Sequence, residues 1–144
     1  MNIQIKLLRE GAHIPTRGSE YAAGYDLYAC LDGDLEILPH TCAKVGTGIS
    51  VAVPEGWFGA VFARSGLASK KGLRPANCVG VCDSDYRGEY IVMMYNDSDE
   101  PRTVSNGERI AQLVIMPFMQ AEFEICDELP ETARGEGGFG STGV

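Results

Sequence analysis

The stretch Ile49-Ser-Val-Ala-Val-Pro-Glu-Gly-Trp-Phe-Gly-Ala-Val-Phe-Ala63 decides the fold class of this chain. Apolar residues alternate with small residues from Ile49 to Val53, which is the period of a strand with one buried face. Pro-Glu-Gly then interrupts the apolar pattern, and both Pro and Gly are typical of turns. A second segment, from Trp57 to Ala63, is rich in aromatic and β-branched residues. The stretch therefore predicts two successive short strands joined by a turn.

The same pattern of short apolar segments recurs on both sides of this stretch. Alternation is seen in residues 3–7 and 35–37, and β-branched and aromatic side chains are frequent in residues 89–95, 109–116 and 122–126. Short strands about ten residues apart, separated by turn residues, are typical of antiparallel sandwiches and jelly rolls.

Only one segment has helical character. Residues 67–70, which follow Arg64-Ser-Gly66, could form one or two turns, and no longer window carries the 3.6-residue period of a helix. We therefore predict an all-β fold, an antiparallel jelly-roll-like barrel or sandwich with at most one short helix and a flexible glycine-rich C-terminal tail.

Composition and charge narrow the classes of function. The chain has 144 residues, of which 44% are hydrophobic and 22% charged, as expected for one globular domain. No apolar run approaches the roughly 18 residues of a membrane helix, and the N-terminal residues lack the apolar core of a signal peptide. We therefore expect a cytoplasmic protein without a membrane partner. A net charge of −8 also argues against direct binding of nucleic acid through a basic face.

The charge is unevenly distributed along the chain. Residues 61–90 contain five Lys and Arg against three Asp and Glu, whereas the segments on both sides are acidic. A basic island in an acidic protein is the pattern expected of a site for a small anion such as phosphate, although a local excess on a loop gives the same count.

The five cysteines do not form a metal or disulfide pattern. Their odd number, without a secretory signal, favours reduced thiols in a cytosol. Cys78 and Cys82 are four residues apart, which is not the spacing of a zinc ribbon. We expect most of the cysteines to be small buried apolar residues.

The composition changes at the C-terminus. Residues 134–144 read Arg-Gly-Glu-Gly-Gly-Phe-Gly-Ser-Thr-Gly-Val, with five glycines in eleven residues. A frayed end has this composition, but the arginine, aromatic ring and hydroxyls also suit a nucleotide, since glycine backbones can wrap phosphate oxygens. We therefore divide the chain into a catalytic jelly-roll domain at residues 1–133 and a tail at residues 134–144.

Four further segments carry candidate functional groups. Asp26 lies in the apolar run Ala22-Ala-Gly-Tyr-Asp-Leu-Tyr-Ala29, where the alternative is an ordinary turn acid. Ala63-Arg-Ser-Gly66 opens the predicted helix, and it could either bind an anion at the helix start or place a capping serine beside a surface arginine.

The other two segments place polar groups at and within strands. Gly80-Val-Cys-Asp-Ser-Asp-Tyr-Arg-Gly88 predicts a hairpin with a polar tip, in which Asp83 follows an apolar strand and can face a cleft. Gln112 interrupts the apolar strand of Gly107-Glu-Arg-Ile-Ala-Gln-Leu113. A buried amide needs partners, so Gln112 either ties down backbone or meets a ligand.

These segments form a recognisable set when they are read in order. AGYDLYA (23–29), ARSG (63–66), GVCDSDYRG (80–88), GERIAQL (107–113) and RGEGGFGSTG (134–143) resemble the five motifs of trimeric deoxyuridine triphosphatases. The resemblance implies a jelly-roll homotrimer with active sites at the subunit interfaces. It also implies hydrolysis of dUTP to dUMP and pyrophosphate with Mg²⁺, which limits uracil incorporation into DNA and supplies dUMP for thymidylate synthesis.

The resemblance also implies roles for particular residues. Asp83 matches the general base that activates a water, and Asp26 matches the carboxylate that reaches Mg²⁺ through a bound water. The substrate-binding positions fall in four groups: Arg64, Ser65, Gly66 and Gln112 at the phosphates; Asn77, Gly80, Val81, Cys82 and Ile91 at the uracil; Tyr86 at the deoxyribose; and Arg134, Phe139, Gly140, Ser141 and Thr142 in the tail, with Phe139 over the base.

One residue departs from the motifs, and two rival functions remain. Cys82 replaces an expected branched aliphatic residue and puts a thiol beside Asp83, and the sequence leaves the reactivity of that thiol open. A dCTP deaminase of the same fold would place a glutamate near the base and would lack the ARSG pattern. A non-catalytic nucleotide-binding jelly-roll protein would not need a carboxylate aimed at phosphorus.

Overall fold

The protein is described here by a computed structural model of residues 1–138. Within this range it has twelve strands and one helix. In chain order they are β1 Gln4–Leu7, β2 Thr16–Arg17, β3 Tyr25–Tyr28, β4 Leu35–Ile37, β5 Cys42–Gly46, β6 Ile49–Ala52, β7 Trp57–Phe62, α1 Ser65–Lys71, β8 Leu73–Pro75, β9 Gly80–Cys82, β10 Ile91–Asn96, β11 Arg102–Val104 and β12 Arg109–Pro117.

The strands form antiparallel sheets, as predicted. The largest sheet has the order β2-β3-β12-β7-β9, and a second has the order β5-β10-β8. Two further pairs, β1-β6 and β11-β4, complete the arrangement of the described residues. The predicted all-β jelly roll with one short helix is therefore confirmed.

The stretch that decides the fold class forms both predicted strands. Ile49, Val51 and Val53 are buried, because alternate side chains of β6 point into the core. The turn ends at Gly56, whose φ of 78° is a left-handed conformation that glycine adopts without strain. β6 pairs with β1 and β7 pairs with β12 and β9, so this turn carries the chain from one sheet into another.

The core lies between these sheets. Its largest fully buried apolar side chains come from eight different strands and are Leu27, Ile37, Val45, Ile49, Leu73, Met94, Val104 and Ile110. Since these residues are far apart in sequence, burying them together requires the whole domain to close. The core therefore fixes the ends of the strands that carry the candidate site.

Helix α1 forms where the sequence predicts it, with a different cap. Arg64, in an extended conformation, is the residue at the N-cap, and it makes no capping hydrogen bond through its side chain. Ser65 is the first helical residue, so the alternative of a capping serine is wrong. The helix buries Leu67 and ends at Gly72, whose φ of 65° is the left-handed geometry common after a helix.

Residues 122–126 do not form the predicted strand. They have no backbone partner within residues 1–138, and Phe123 and Ile125 are 97% and 99% exposed. A strand needs a neighbour to satisfy its backbone hydrogen bonds, so β-rich composition alone does not produce one.

The cysteines are free thiols, as expected, but most are not buried. Cys30 is buried and Cys82 is half-buried, whereas Cys42, Cys78 and Cys126 are exposed in the single chain. Cysteine composition predicts average burial only, and these three positions lie at surface edges and in the segment after β12. No helix within residues 1–138 has the length and apolar character to cross a bilayer.

Candidate active site

Strand β9 places the predicted catalytic and base-reading residues around one cavity. β9 pairs with β7 so that Gly80 faces Val61 and Cys82 faces Gly59. A side chain at Gly80 would meet the Cβ of Val61 at 3.1 Å, which explains the glycine at this close approach. A cavity of about 470 Å³ opens beside β9, and its lining includes Asn77, Gly80, Val81, Cys82, Asp83, Tyr86 and Ile91.

The segment after β9 is not the paired hairpin that the sequence predicts. β9 belongs to the sheet with β7, whereas β10, which follows, pairs with β5 and β8. Residues 83–90, here called the site loop, therefore cross from one sheet to another. The loop is closed internally, since the backbone N–H of Tyr86 donates to the carbonyl of Asp83 at 3.1 Å.

Tyr86 is held over the cavity by its own hydroxyl. The phenolic oxygen donates to the carbonyl of Glu89 at 2.9 Å, so the ring has a defined position although 43% of the residue is exposed. The ring of Tyr90 lies 6.1 Å away, centroid to centroid. An aromatic ring is therefore in place at the cavity, where the motif resemblance puts the ring beneath the sugar.

The thiol of Cys82 faces the hydroxyl of Tyr90 below the cavity. Burial raises the pKa of Cys82, and the nearby hydroxyl of Tyr90 opposes this rise only in part. Since the thiolate is the reactive form, a raised pKa lowers the reactivity of this thiol. Burial also raises the pKa of Tyr90 above its ordinary value. The structure thus disfavours a nucleophilic role for either group.

A second cavity gathers the predicted phosphate-binding residues and Asp26. It has about 420 Å³ and is lined in part by Asp26, Arg64, Ser65, Gly66 and Gln112. Asp26 accepts hydrogen bonds from Nε of Arg64 at 2.7 Å and from a terminal guanidinium nitrogen of Arg109 at 3.1 Å. Two guanidinium groups and one carboxylate leave a net positive charge, which suits an anion.

Asp26 and Gln112 both lie in strands, and the structure decides between their alternatives. Asp26 is on β3 with its side chain 14% exposed, so it is not a turn acid. Gln112 on β12 is paired with Asp26 on β3. The side-chain amide of Gln112 donates to the carbonyl of Ala63 at 2.8 Å. Gln112 therefore ties down the backbone immediately before Arg64, and it also borders the cavity.

The two cavities are separate in the single chain. The first is bordered by Val61 of β7, whereas the second is bordered by Arg64, beyond the end of β7 at Phe62. Within residues 1–138 they share no lining residue, so Asp83 and Arg64 border different cavities.

Comparison with known proteins gives the family. A family model described as dUTPase matches residues 10–143 of this chain. The chain belongs to the dUTPase family. It is 53% identical to the deoxyuridine 5'-triphosphate nucleotidohydrolase of Desulfitobacterium hafniense over 132 residues, which cover 91% of this chain and 87% of the relative. The corresponding protein of Syntrophotalea carbinolica is 48% identical, with coverage of 99% and 97%.

Solved dUTPase structures have the same fold. A mutant dUTPase from Staphylococcus bacteriophage 80alpha, solved with dUpNHpp, matches with a TM-score of 0.90 and 30% identity over 99% of both chains. A mutant dUTPase from phage phi11 of S. aureus, solved to show the coordination of a structural Mg(II) ion, matches with a TM-score of 0.78 and 27% identity over 89% of this chain and 98% of that one.

Half of the fifth dUTPase motif, residues 139–143, falls outside the described residues. Phe139, Gly140, Ser141 and Thr142 are not among them. Arg134 is exposed, and its Nε donates to the carbonyl of Gly137 at 2.7 Å. The described part of the chain therefore brings Arg134 to neither cavity.

Two further residues that line these cavities, Arg109 and Tyr90, were missed by sequence reasoning. Arg109 pairs with Asp26, and a signal existed, since an arginine at the start of an apolar strand calls for a buried or functional partner. Tyr90 lines the first cavity from below, and nothing in its sequence context distinguishes it from an ordinary strand tyrosine.

No cluster of metal-binding side chains is formed within residues 1–138.

Proposed function

We propose that this dUTPase-family chain hydrolyses dUTP to dUMP and pyrophosphate. The observation that carries the proposal is the position of Asp83 at the end of β9, beside the cavity that Asn77, Tyr86 and the β9 backbone line. A carboxylate beside a base-sized cavity can act on the phosphate that the sugar carries. The family relationship supports the same substrate.

Asp83 is the general base in this proposal. Its carboxylate accepts a proton from a water, and the water oxygen forms a bond to the α-phosphorus. The bond from that phosphorus to the oxygen bridging to the β-phosphorus breaks, and pyrophosphate leaves with the electron pair. General-base catalysis of this kind contributes about 10²–10⁴-fold in rate.

The β9 backbone and Asn77 read the base in this proposal. Uracil presents an acceptor where cytosine presents a donor, so cytosine would leave a buried mismatch worth about 1–3 kcal/mol per unpaired group. Thymine is excluded by a clash of its methyl group, since losing a methyl contact alone discriminates weakly. The ring of Tyr86 excludes the 2′-hydroxyl of a ribonucleotide.

Arg64, Ser65, Gly66 and Gln112 contact the phosphates in this proposal, and Asp26 helps to hold Mg²⁺. Both Asp26 oxygens already accept from guanidinium groups, and an ionised carboxylate has about four acceptor sites in all. The remaining sites can accept from waters of a hydrated Mg²⁺, which keeps several waters when it binds a triphosphate. When bound, Mg²⁺ supplies charge neutralisation for the triphosphate.

We further propose the homotrimer that the motif resemblance implies, with each active site at a subunit interface. The separation of the two cavities, which share no lining residue within residues 1–138, supports this, since a second chain can bring its phosphate-binding residues to the base site of the first. The apolar residues after β12 also need cover. Phe123, Ile125 and Leu129 are 97%, 99% and 82% exposed, which is unusual for large side chains of an isolated domain.

A cytoplasmic site of action accords with the five free thiols. There the reaction would lower the dUTP available for incorporation into DNA and supply dUMP for thymidylate synthesis.

The proposal is tested by pyrophosphate release from dUTP, with and without Mg²⁺, for the wild-type protein and for Asp83→Asn. We expect Asp83→Asn to lower kcat about 10²–10⁴-fold while dUTP binding persists, because only the base is lost. Asp32→Asn makes the same change in an exposed turn and should retain wild-type kcat. Turnover of the Asp83 variant within threefold of wild type contradicts the assignment. Ammonia release from dCTP would indicate the deaminase, and absence of any turnover would indicate a binding protein.

A further inference from the structure

The site loop, residues 83–90, is attached to the domain on two sides. Its leading side continues β9, which pairs with β7. Its trailing side contacts residues 47–50, here called the anchor segment, which joins β5 to β6 and includes the first two residues of β6. The two attachments use different residues and different sheets, so they can be perturbed separately.

Two buried hydroxyls of the anchor segment bind carbonyls of the site loop. The hydroxyl of Thr47 donates to the carbonyl of Tyr90 at 2.6 Å, and the hydroxyl of Ser50 donates to the carbonyl of Arg87 at 2.7 Å. Thr47 is 1% exposed and Ser50 is 7% exposed. Both hydroxyls hold loop carbonyls where water has little access, and because the Tyr90 carbonyl also accepts the N–H of Thr47 at 3.2 Å, removal of the Ser50 hydroxyl should cost more.

The backbone and Glu89 complete the attachment. The N–H of Tyr90 donates to the carbonyl of Ile49 at 2.9 Å, and the N–H of Gly48 donates to Oε1 of Glu89 at 2.8 Å. Arg9 also contacts the Glu89 carboxylate. The anchor segment therefore holds the trailing side of the loop at three positions, Arg87, Glu89 and Tyr90.

Hydrogen bonds inside the loop connect this attachment to Asp83. The N–H of Tyr86 donates to the carbonyl of Asp83 at 3.1 Å, and the guanidinium of Arg87 donates to the carbonyl of Ser84 at 2.6 Å. A shift of Arg87 is thus transmitted to Ser84 and Asp83. The backbone of residues 80–82 is held independently by β7.

We propose that Thr47 and Ser50 are positioning residues that set the place of the Asp83 carboxylate relative to the reacting phosphorus. The inference rests on the proposed function of Asp83. Because the base-reading residues have their own attachments, Gly80–Cys82 to β7 and Ile91 to Gly46 of β5, loss of either hydroxyl affects the reacting geometry more than it affects nucleotide binding. This separation distinguishes positioning from general support of the fold.

The test measures kcat and KM for dUTP in Thr47→Val, in Ser50→Ala and in the double variant. We expect kcat of the double variant to fall about tenfold or more, since small displacements of a catalytic group can cost up to about 10²-fold. KM should stay within about twofold, the signature of an interaction that acts in the transition state. Thr47→Ser keeps the hydroxyl donor at position 47 and should therefore keep the kcat of the wild-type protein.

Thr41→Val is the matched control. It also removes a hydroxyl that donates to a carbonyl, that of Leu38 at 2.9 Å, but it lies before β5, at the end of that strand away from the site loop. Thermal unfolding of every variant identifies those that remain folded at the assay temperature. If Ser50→Ala and Thr47→Val both keep the kcat of the wild-type protein, the inference is overturned. Turnover of dUTP by the wild-type protein would still support the proposed function in that case. An equal loss in Thr41→Val, or a fall in kcat matched by a rise in KM, also overturns the inference.

Discussion

Tyr90 lies under the candidate site with its hydroxyl oxygen buried and without a hydrogen-bond partner in the described part of the chain. The residue is 2% exposed, and the oxygen lies close to Gly59 and to the thiol of Cys82. A thiol is a weak partner, so it compensates little for the lost hydration of a phenol. A buried donor in this state costs about 1–3 kcal/mol.

Tyr90→Phe should therefore leave the protein as stable as wild type or more stable by about 1 kcal/mol at pH 8, because it removes the unsatisfied hydroxyl and keeps the ring. The free energy of unfolding in urea measures this. Tyr21→Phe, at a 91% exposed position, is the control and should change little. A loss of more than about 1 kcal/mol in Tyr90→Phe would mean that the hydroxyl makes a favourable contact.

The same variant gives a pH test. Burial raises the pKa of Tyr90 in the folded state above its ordinary value of 10.0. Above that pH the unfolded tyrosine loses its proton while the folded one keeps it, so stability falls as pH rises. Wild type should lose stability between pH 9 and pH 11 more steeply than Tyr90→Phe, by up to about 1.4 kcal/mol per pH unit. Equal slopes would contradict the burial of this phenol.

Tyr86 provides a test of sugar discrimination. Tyr86→Ala removes the ring proposed to exclude the 2′-hydroxyl, so the ratio of kcat/KM for dUTP over UTP should fall at least about tenfold, which corresponds to about 1.4 kcal/mol. Tyr86→Phe keeps the ring and loses only the bond to the Glu89 carbonyl. We expect this variant to keep the ratio. An unchanged ratio in Tyr86→Ala would assign the discrimination to another group.

Among the elements, β3, β12 and the end of β7 are joined by the side chain of Gln112. Its amide donates to the carbonyl of Ala63, and its oxygen end lies against Gly24. A side chain at position 24 would occupy the space of the Gln112 carboxamide. Because Arg64 follows Ala63, a shift of β3 or β12 would move Arg64 through the Gln112 carboxamide.

Gly24→Ala should therefore displace Gln112, break its bond to Ala63 and lower stability by about 1 kcal/mol. KM for dUTP should rise, since the backbone before Arg64 loses its tie. Gly33→Ala is the matched control, because a Cβ there meets nothing within 4 Å. Steady-state kinetics and thermal unfolding of both variants measure the effect. Equal behaviour of the two variants would show that the carboxamide moves aside without cost.

On the scale of the whole molecule, the proposed active site is shared between chains. In this proposal the C-terminal tail supplies the remaining substrate-binding residues. Residues 134–144 form a separate unit in our division of the chain, with five glycines in eleven residues. Ordering such a segment costs roughly 1–2 kcal/mol per residue, so it should order only when the triphosphate offers contacts. Deleting residues 134–144 should leave the oligomer and its thermal stability nearly unchanged and lower turnover severely.

Subunit mixing tests whether the tail serves a neighbour. The deletion is mixed with Asp83→Asn under conditions that exchange subunits, with exchange confirmed by mass spectrometry. If each tail closes a site that uses Asp83 of another chain, some mixed sites contain both intact parts and activity returns. Lack of recovered activity would contradict the arrangement in trans. Sedimentation of the wild-type protein measures the oligomeric state directly, and we expect a mass three times that of one chain.

The sequence by itself determined the elements whose signals are local. Period-two alternation in residues 49–53 and the turn at Pro54-Glu-Gly56 each act on neighbouring residues, so these strands and their turn were predictable from composition and spacing. The motif positions were predictable as a set, because their order along the chain is itself a sequence property. The cavities then gathered Asp83 with Tyr86 and Asp26 with Arg64.

Only the tertiary structure decided which of these segments meet. The alternation in β6 and β7 does not predict that the turn between them joins two sheets. The composition of the site loop does not predict that β9 pairs with β7 while β10 pairs with β5. The pairing of Asp26 with Arg64 and Arg109 joins residues 38 and 83 positions apart, and Tyr90 lies against residues of β6, β7 and β9. The physical reason is that strand partners and buried polar contacts depend on the closure of the entire core, which no local pattern encodes.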